Sequence, residues 1–260
     1  MRPLLKALGA YAVYEALLYR SVKRGEIPNH IAVILDGNRR WARLNGLSVE
    51  EGYRAGARRV EDLLRWCLDL GVNTVTLYVL SLENITRRPK EEVEAVYKIL
   101  VESTERFLRD EEVRSKRVRV KVIGRRWVLP AEVAEALERL ERETALNSDR
   151  FLILAVAYGG RDEIIQAVRR VAQDVKSGGL SPDDLSEDVF GRYLFTGELP
   201  FPEPDLVIRT SGEERISNFL LWQIAYSELV FLDVYWPEFR RIDLLRAIRT
   251  YQARTRRFGA

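Results

Sequence analysis

The sequence has one cysteine, one histidine and one methionine among its 260 residues. A single cysteine excludes an intrachain disulfide, which fits a reducing, cytoplasmic setting. Cys67 stands in the apolar stretch Leu63-Leu64-Arg65-Trp66-Cys67-Leu68 and reads as a core residue, since a free thiol packs as a small hydrophobe. His30 precedes a strand-like run and reads as structural, so a histidine-based triad or a zinc cluster has little to draw on. No stretch reaches the roughly 18 apolar residues needed to span a bilayer. Neither GxxxxGK[ST] nor GxGxxG follows a strand, which argues against a P-loop or a dinucleotide fingerprint. Charge of one sign is not in excess either: 42 Lys and Arg against 39 Asp and Glu leave a net +3. Charge therefore implies no nucleic-acid partner, although a pI near 9.0 is compatible with an anionic substrate. Few sulfur residues beside many charged ones hint at a thermophile.

What is present is the pattern of one large α/β domain. Short runs rich in Val, Ile and Leu occur at Ile31–Leu35, Thr74–Leu80, Val118–Ile123, Phe151–Tyr158, Asp205–Arg209 and Leu229–Val234. Nearly continuous apolar runs of this length fit parallel strands buried on both faces. Helical patterns lie between them, at about Arg54–Leu70, Lys90–Arg109, Ala131–Thr144, Asp162–Ser177 and Asn218–Ser227. The alternation predicts a mostly parallel central sheet flanked by helices. Residues 1–25 read as an N-terminal amphipathic helix, with Leu4, Leu8, Tyr11 and Leu18 near one face, and residues 26–260 as the main domain. Glu15 interrupts the apolar run, so a signal peptide is a poor fit. The helix either packs on the domain or makes a peripheral contact with a membrane surface.

In open parallel sheets, ligands bind beyond the carboxyl ends of the strands. After the first run comes Asp36-Gly37-Asn38-Arg39-Arg40-Trp41. Gly37 lets the backbone approach a ligand closely. The arginines at a helix start make an anion cradle, and Asp36 within it suits a Mg²⁺ that bridges to phosphate oxygens. Alone, this motif reads equally well as an Asp-Gly turn with solvated arginines. Yet the second run is followed by Ser81-Leu82-Glu83-Asn84, Arg87, Arg88 and Pro89. The fourth is followed by Gly159-Gly160-Arg161, and the fifth leads into Thr210 to Asn218, containing Arg215 and Ser217 beside Arg209. Four such segments on one sheet edge read as a multi-phosphate site using Mg²⁺.

These stretches resemble the cis-prenyltransferases, the undecaprenyl and dehydrodolichyl diphosphate synthases. The resemblance is carried by His30 to Ala42, Leu77-Tyr78 with Ser81 to Asn84, Tyr158 to Arg161, Asp205 to Glu213, Arg215 to Gln223, Ser227-Glu228 and Trp236-Pro237. It covers the chain from about Ile27 onward. It implies an enzyme that condenses isopentenyl diphosphate repeatedly onto an allylic primer, farnesyl or geranylgeranyl diphosphate. The product would be a long polyprenyl diphosphate, precursor of a glycosyl carrier lipid. It also implies a homodimer with an apolar product tunnel. Asp36 would bind Mg²⁺ and assist departure of the allylic diphosphate, with Glu228 a second metal-associated acid. Gly37, Arg39 and Arg40, with Trp41 beside them, would bind the allylic substrate. Asn38, Ser81 and Asn84 would stand near the reacting centre. Arg87 or Arg88, with Arg209, Arg215 and Ser217, would bind isopentenyl diphosphate.

The chain departs from the family pattern in places. Val49 and Gly52-Tyr53 stand where an Arg and a Gly-His pair are frequent, Ile85 where Trp is frequent, and Glu214 where bacterial members have His. A tyrosine, with an ordinary pKa of about 10, is a poor base near neutrality, so Tyr53 is expected to pack or to hydrogen-bond the phosphate network. Val79 and Leu80 are expected to line the tunnel. The basic end Arg254-Thr255-Arg256-Arg257-Phe258-Gly259-Ala260 reads alone as a solvated tail. Its likeness to the family's Arg-x-Gly tail implies that Arg257 and Gly259 reach the partner subunit's site. Two rivals remain: a non-catalytic subunit of a prenyltransferase complex, which would be expected to lose Asp36, Arg209, Arg215 and Glu228, and a nucleotide-binding α/β protein, which lacks its glycine fingerprints.

Overall fold

The computed structural model describes residues 9–111 and 115–255. Among these, six strands form one all-parallel sheet in the order β3-β4-β2-β1-β5-β6. They are β1 (His30–Ile34), β2 (Thr74–Ser81), β3 (Val118–Ile123), β4 (Arg150–Tyr158), β5 (Leu206–Arg209) and β6 (Glu228–Phe231). All five residues of β1 are buried, because helices and turns cover both sheet faces. Ile31 and Val33 join one core, while Ala32 and Ile34 join a second with Tyr78, Tyr158 and Phe219.

Nine helices accompany the sheet within the described residues: α1 (Ala10–Lys23), α2 (Asn38–Leu44), α3 (Val49–Leu70), α4 (Leu82–Arg87), α5 (Lys90–Arg109), α6 (Ala131–Thr144), α7 (Gly160–Ser177), α8 (Glu187–Arg192) and α9 (Arg241–Thr255). The described part of the N-terminal helix packs on the domain. Leu18 and Val22 are buried, and Gln252 of α9 donates to the Val22 carbonyl at 2.9 Å. Leu4 and Leu8 lie outside the described residues. Val13 and Leu17 stay exposed on α1.

Three expectations about elements change. Helix α3 begins at Val49, five residues before Arg54, because Ser48 and Glu51 form a capping box. The stretch 218–227 is a series of turns, not a helix. Asn218 and Leu220 hold φ of 64° and 41°, and Asn218 is pinned through its side chain to the Arg161 N–H and the Glu83 carboxylate. Left-handed residues interrupt helical hydrogen bonding, and local side-chain bonds compete with it. Helices α4, α8 and α9 are unanticipated; the longest, α9, has Ile242, Leu244, Leu245, Ala247 and Ile248 fully buried. Arg241, Asp243, Arg246 and Arg249 are interspersed among these apolar residues, so α9 shows no clean amphipathic period.

The crossing of α2 and α3 positions the loop after β1. A Cβ on Gly52 would meet the Asn38 carbonyl oxygen at 2.7 Å, and one on Gly56 would meet Asn38 Oδ1 at 2.2 Å. The Gly56 carbonyl accepts from Trp236 Nε1 at 2.9 Å, fastening the same crossing to the loop after β6. Gly56→Ala gains about 1 kcal/mol in helix propensity but forces Asn38 away from its bond to the Leu35 carbonyl. Overpacking of this kind costs about 1–3 kcal/mol, so a net fall in urea midpoint is expected. An unchanged or raised midpoint would show that the crossing is slack.

Candidate active site

Strand β1 leads to β2 on one side and pairs with β5 on the other, so the order in which the chain adds strands reverses at the β1–β5 junction while every strand stays parallel. Such a switch point opens a crevice at the carboxyl ends of the strands. Pairing places Ile34 opposite Arg209, so the two segments that follow are neighbours although 173 residues apart. Thr210 ties them: its hydroxyl donates to the Asp36 carbonyl at 2.7 Å and accepts from the Asp36 N–H at 3.1 Å. Gly37 then turns the chain with φ 107°, and a Cβ there would sit 2.7 Å from the Tyr235 ring.

The charges meet at Asp36. Its Oδ2 accepts from Arg209 Nη2 at 2.8 Å, and its Oδ1 faces Arg40 Nη2 at 3.4 Å. Arg209 also donates to Ser217 Oγ at 2.7 Å and to the Arg215 carbonyl, while its Nε is buried without a partner. Arg40 donates to Ser211 Oγ at 2.6 Å and to Glu213 at 3.2 Å, and Glu213 pairs with Arg215 at 2.7 Å. Burial alone would raise the Asp36 carboxyl. The Arg209 hydrogen bond and charge, with Arg40 and Ser211, outweigh it and hold Asp36 below its ordinary value.

A cavity of about 1010 Å³ opens from this cluster and runs between α3, α5 and the sheet. Asp36, Gly37, Asn38, Arg39, Arg40, Ser81, Asn84, Arg88, Arg209, Arg215 and Ser217 line its polar part. Val60, Leu64, Leu77, Val79, Val96, Leu100, Leu152 and Leu154 form an apolar stretch of its wall, and Glu61, Arg65, Arg106, Arg109 and Asp110 of α3 and the α5 end also line it.

Most sequence-derived candidates therefore converge, with exceptions. Arg88 lines the cavity, whereas Arg87 is exposed outside it. Arg88 lies with Arg39, through Tyr53 and Glu92, rather than with Arg209 and Arg215. Trp41 and Leu80 do not line the cavity; Leu80 is fully buried in the core. Ser81 caps α4 by accepting from the Asn84 N–H at 3.0 Å, and Asn38 Nδ2 donates to the Leu35 carbonyl, so both also build the loops they stand in. Glu228 begins β6, paired opposite Leu206, whereas Arg209 lies opposite Phe231. It is therefore at the far end of the strand from Asp36, where Arg254 holds it at 2.9 Å. Arg257 and Gly259 lie outside the described residues. Sequence reasoning passed over Glu213, Ser211, Tyr235 and Glu92. Only Glu213 carried a signal, as the acid ending the Thr210-Ser211-Gly212-Glu213 turn.

A divalent cation fits the donor set. Mg²⁺ is ordinarily held by one or two carboxylates together with substrate phosphates, and Asp36 offers one carboxylate among guanidinium cations, with Glu213 linked to it through Arg40. Among the described residues no group of three His, Cys, Asp or Glu gathers to cage an ion.

Arg209 is only 6% exposed, so removing its counter-ion leaves a nearly buried charge unpaired. Asp36→Asn is expected to cost about 1–3 kcal/mol at neutral pH, less than a fully buried pair because Asp36 keeps some water contact. A depressed carboxyl stabilises the fold above its unfolded pKa and loses that contribution as pH falls through its folded pKa. The gap between wild type and variant in urea midpoint should therefore close below the ordinary aspartate range. A gap unchanged by acid would exclude this ion pair as its origin.

The chain matches the Prenyltransf family model, described as "Putative undecaprenyl diphosphate synthase", over residues 34–259. It is 54% identical over 249 residues to a tritrans,polycis-undecaprenyl-diphosphate synthase (geranylgeranyl-diphosphate specific) of Methanopyrus kandleri, covering 96% of this chain and 91% of that one. It is 49% identical over 253 residues to an isoprenyl transferase of Thermus thermophilus, covering 96% and 95%. Among solved structures, lavandulyl diphosphate synthase from Lavandula x intermedia, crystallised with dimethylallyl diphosphate, superposes with a TM-score of 0.82 at 35% identity, covering 87% of this chain and 95% of that one. With the cationic switch-point cluster opening into an apolar cavity, these likenesses place the chain in the undecaprenyl diphosphate synthase family of prenyltransferases.

Proposed function

We propose that this chain is a Mg²⁺-dependent cis-prenyltransferase that extends geranylgeranyl diphosphate with successive isopentenyl diphosphate units. The observation that carries the reading is the continuity of one cavity, from arginines able to hold two diphosphates to walls able to hold a hydrocarbon chain. The primer choice rests on the relatives named as geranylgeranyl-diphosphate specific. A long polyprenyl product would serve as precursor of a glycosyl carrier lipid. Retention of Asp36, Arg209 and Arg215 at one site disfavours a non-catalytic subunit.

In this reading, Arg39, Arg40 and Arg88, with the α2 backbone at Gly37, receive the allylic diphosphate. Arg209, Arg215 and Ser217 receive that of isopentenyl diphosphate. Asp36 would hold Mg²⁺, which would supply countercharge to the departing diphosphate. The arginines stabilise the departing diphosphate because they are fixed before the charge develops. The apolar wall excludes water from the allylic cation. Holding both substrates by their diphosphates aligns the isopentenyl double bond with that cation; a C–C bond forms and a proton leaves.

Two copies of the chain would complete the site. Exposed Ile165, Val168 and Tyr226 are apolar surface suited to a self-contact, and the tail through Arg257 and Gly259 would reach the partner's isopentenyl diphosphate subsite. No helix among the described residues is long and apolar enough to cross a membrane, and exposed Val13 and Leu17 of α1 would suit peripheral contact.

Purified protein with Mg²⁺, labelled isopentenyl diphosphate and geranylgeranyl diphosphate should form long products, and a chelator should stop it. Absence of extension with every allylic primer would overturn the reading. Arg209→Ala or Arg215→Ala should raise the KM for isopentenyl diphosphate by about tenfold or more, the scale of a charge-assisted hydrogen bond. A rise confined to the allylic substrate would mean that the subsites are reversed.

Deleting residues 257–260 should leave a folded dimer with a KM for isopentenyl diphosphate raised several-fold. Unchanged kinetics in an intact dimer would return the tail to solvent.

A further inference from the structure

The arginines around the cavity mouth are not equivalent. Arg209 and Arg40 share Asp36, Arg40 and Arg215 share Glu213, and Arg39 pairs with Glu92 at 3.3 Å. Arg88 makes no carboxylate ion pair among the described residues. Its one side-chain hydrogen bond there runs from Nη1 to the Tyr53 hydroxyl at 2.9 Å, and its guanidinium lies over the same ring, 5.8 Å from the centroid. The hydroxyl is itself oriented, donating toward Glu92 Oε2 at 3.5 Å. Tyr53, on α3, and Arg88, just before α5, both line the cavity.

We propose that Tyr53 is a positioning residue that fixes Arg88 in the mouth without neutralising it, keeping that charge available for the allylic diphosphate. The inference rests on the diphosphate reading above. A carboxylate at this place would also hold Arg88 but would have to be displaced, or would repel the incoming anion. A phenol holds the guanidinium through one acceptor oxygen and the negative face of its ring. Burial raises the Tyr53 hydroxyl above its ordinary value, so it stays neutral in this role. The same burial disfavours the charged form of Arg88 and lowers its pKa. A guanidinium nevertheless stays protonated at any physiological pH, so the strain of keeping it there is relieved by an anionic ligand rather than by proton loss.

The test is a double-mutant cycle between Tyr53→Phe and Arg88→Ala, with wild-type-like melting required of each variant. Tyr53→Phe keeps the ring and removes the acceptor. It should raise the KM for the allylic diphosphate about tenfold, near the low end for a hydrogen bond to a charged group, with the KM for isopentenyl diphosphate within about twofold. In the Arg88→Ala background it should add nothing. Calorimetric titration with inorganic diphosphate reads the same coupling without turnover. If wild type extended no allylic primer, the prenyltransferase reading would fail while the titration still decided the role of Tyr53. An unchanged allylic KM and diphosphate affinity in Tyr53→Phe, or an equal loss with and without Arg88, would overturn the proposal.

Discussion

The pairing of β1 with β5 is the constraint on which the rest of the molecule depends. It sets Ile34 beside Arg209, and from that register follow the Asp36–Arg209 ion pair, the two hydrogen bonds of the Thr210 hydroxyl with the Asp36 backbone, and the fan of arginines above them. Neither segment could make this site alone. Asp36 at the end of β1 would be a solvated turn acid, and Arg209 at the end of β5 would be a cation with no reason to be buried. Parallel pairing at a switch point joins them where no strand overlies the crevice, so the ion pair is formed by the sheet and left open to a ligand. Everything downstream is attached to that junction: Gly37 against Tyr235, α2 against Gly52 and Gly56, and Trp236 against the Gly56 carbonyl.

Much of this was legible because parallel strands covered on both faces announce themselves as continuous apolar runs, and because ligand sites in such sheets fall at strand ends. The pattern located all six strands and the four loops worth attention. What escaped has a physical explanation in each case. Helix α9 intersperses charged residues among its buried apolar ones, so its sequence lacks a clean alternation of faces. The turns of 218–227 look helical by composition, but Asn218 spends its side chain on Arg161 and Glu83 and takes a left-handed backbone. Arg87 and Arg88 are adjacent in sequence, and only the turn ahead of α5 decides which one faces inward. Glu92 and Tyr53 lie on different helices, and their meeting is a matter of helix packing that no local pattern encodes. Glu228 sits at the wrong end of its strand to reach Asp36 within one chain, a matter of register, which composition does not report.

The electrostatic design follows one rule, from which Arg88 departs. Most mouth arginines carry a carboxylate: Asp36 and Glu213 are each shared between two guanidinium groups, and Glu92 holds Arg39. Sharing leaves each cluster with residual positive charge, yet no single cation bears its full desolvation cost. Such an arrangement holds its geometry in the absence of ligand, which matters because donors fixed beforehand need not reorganise when charge develops. Arg88 departs from the rule, held by a phenol instead of an acid. It is therefore the cation with the most to gain from an incoming diphosphate.

Ligand entry at such a site is an exchange and not a simple addition. A diphosphate reaching Arg209 or Arg40 competes with Asp36 for the same donors, and part of the Coulombic gain replaces an attraction already present. Asp36, once partly released, is a carboxylate with free lone pairs beside phosphate oxygens, which is the donor set a hard divalent cation accepts. In the proposed reading, anion and cation binding would be coupled through one side chain, each making the other's arrival less costly. The coupling requires that Asp36 be engaged before binding, that its partners be better satisfied by phosphate, and that the carboxylate stay ionised throughout. The depressed Asp36 carboxyl meets the last condition, the unpartnered Nε of Arg209 shows donor capacity still unused, and the 2.8 Å contact meets the first. In the proposed reading, an acid placed among arginines by the sheet would do two jobs in sequence, first holding the site together through the Arg209 ion pair and then turning toward a metal.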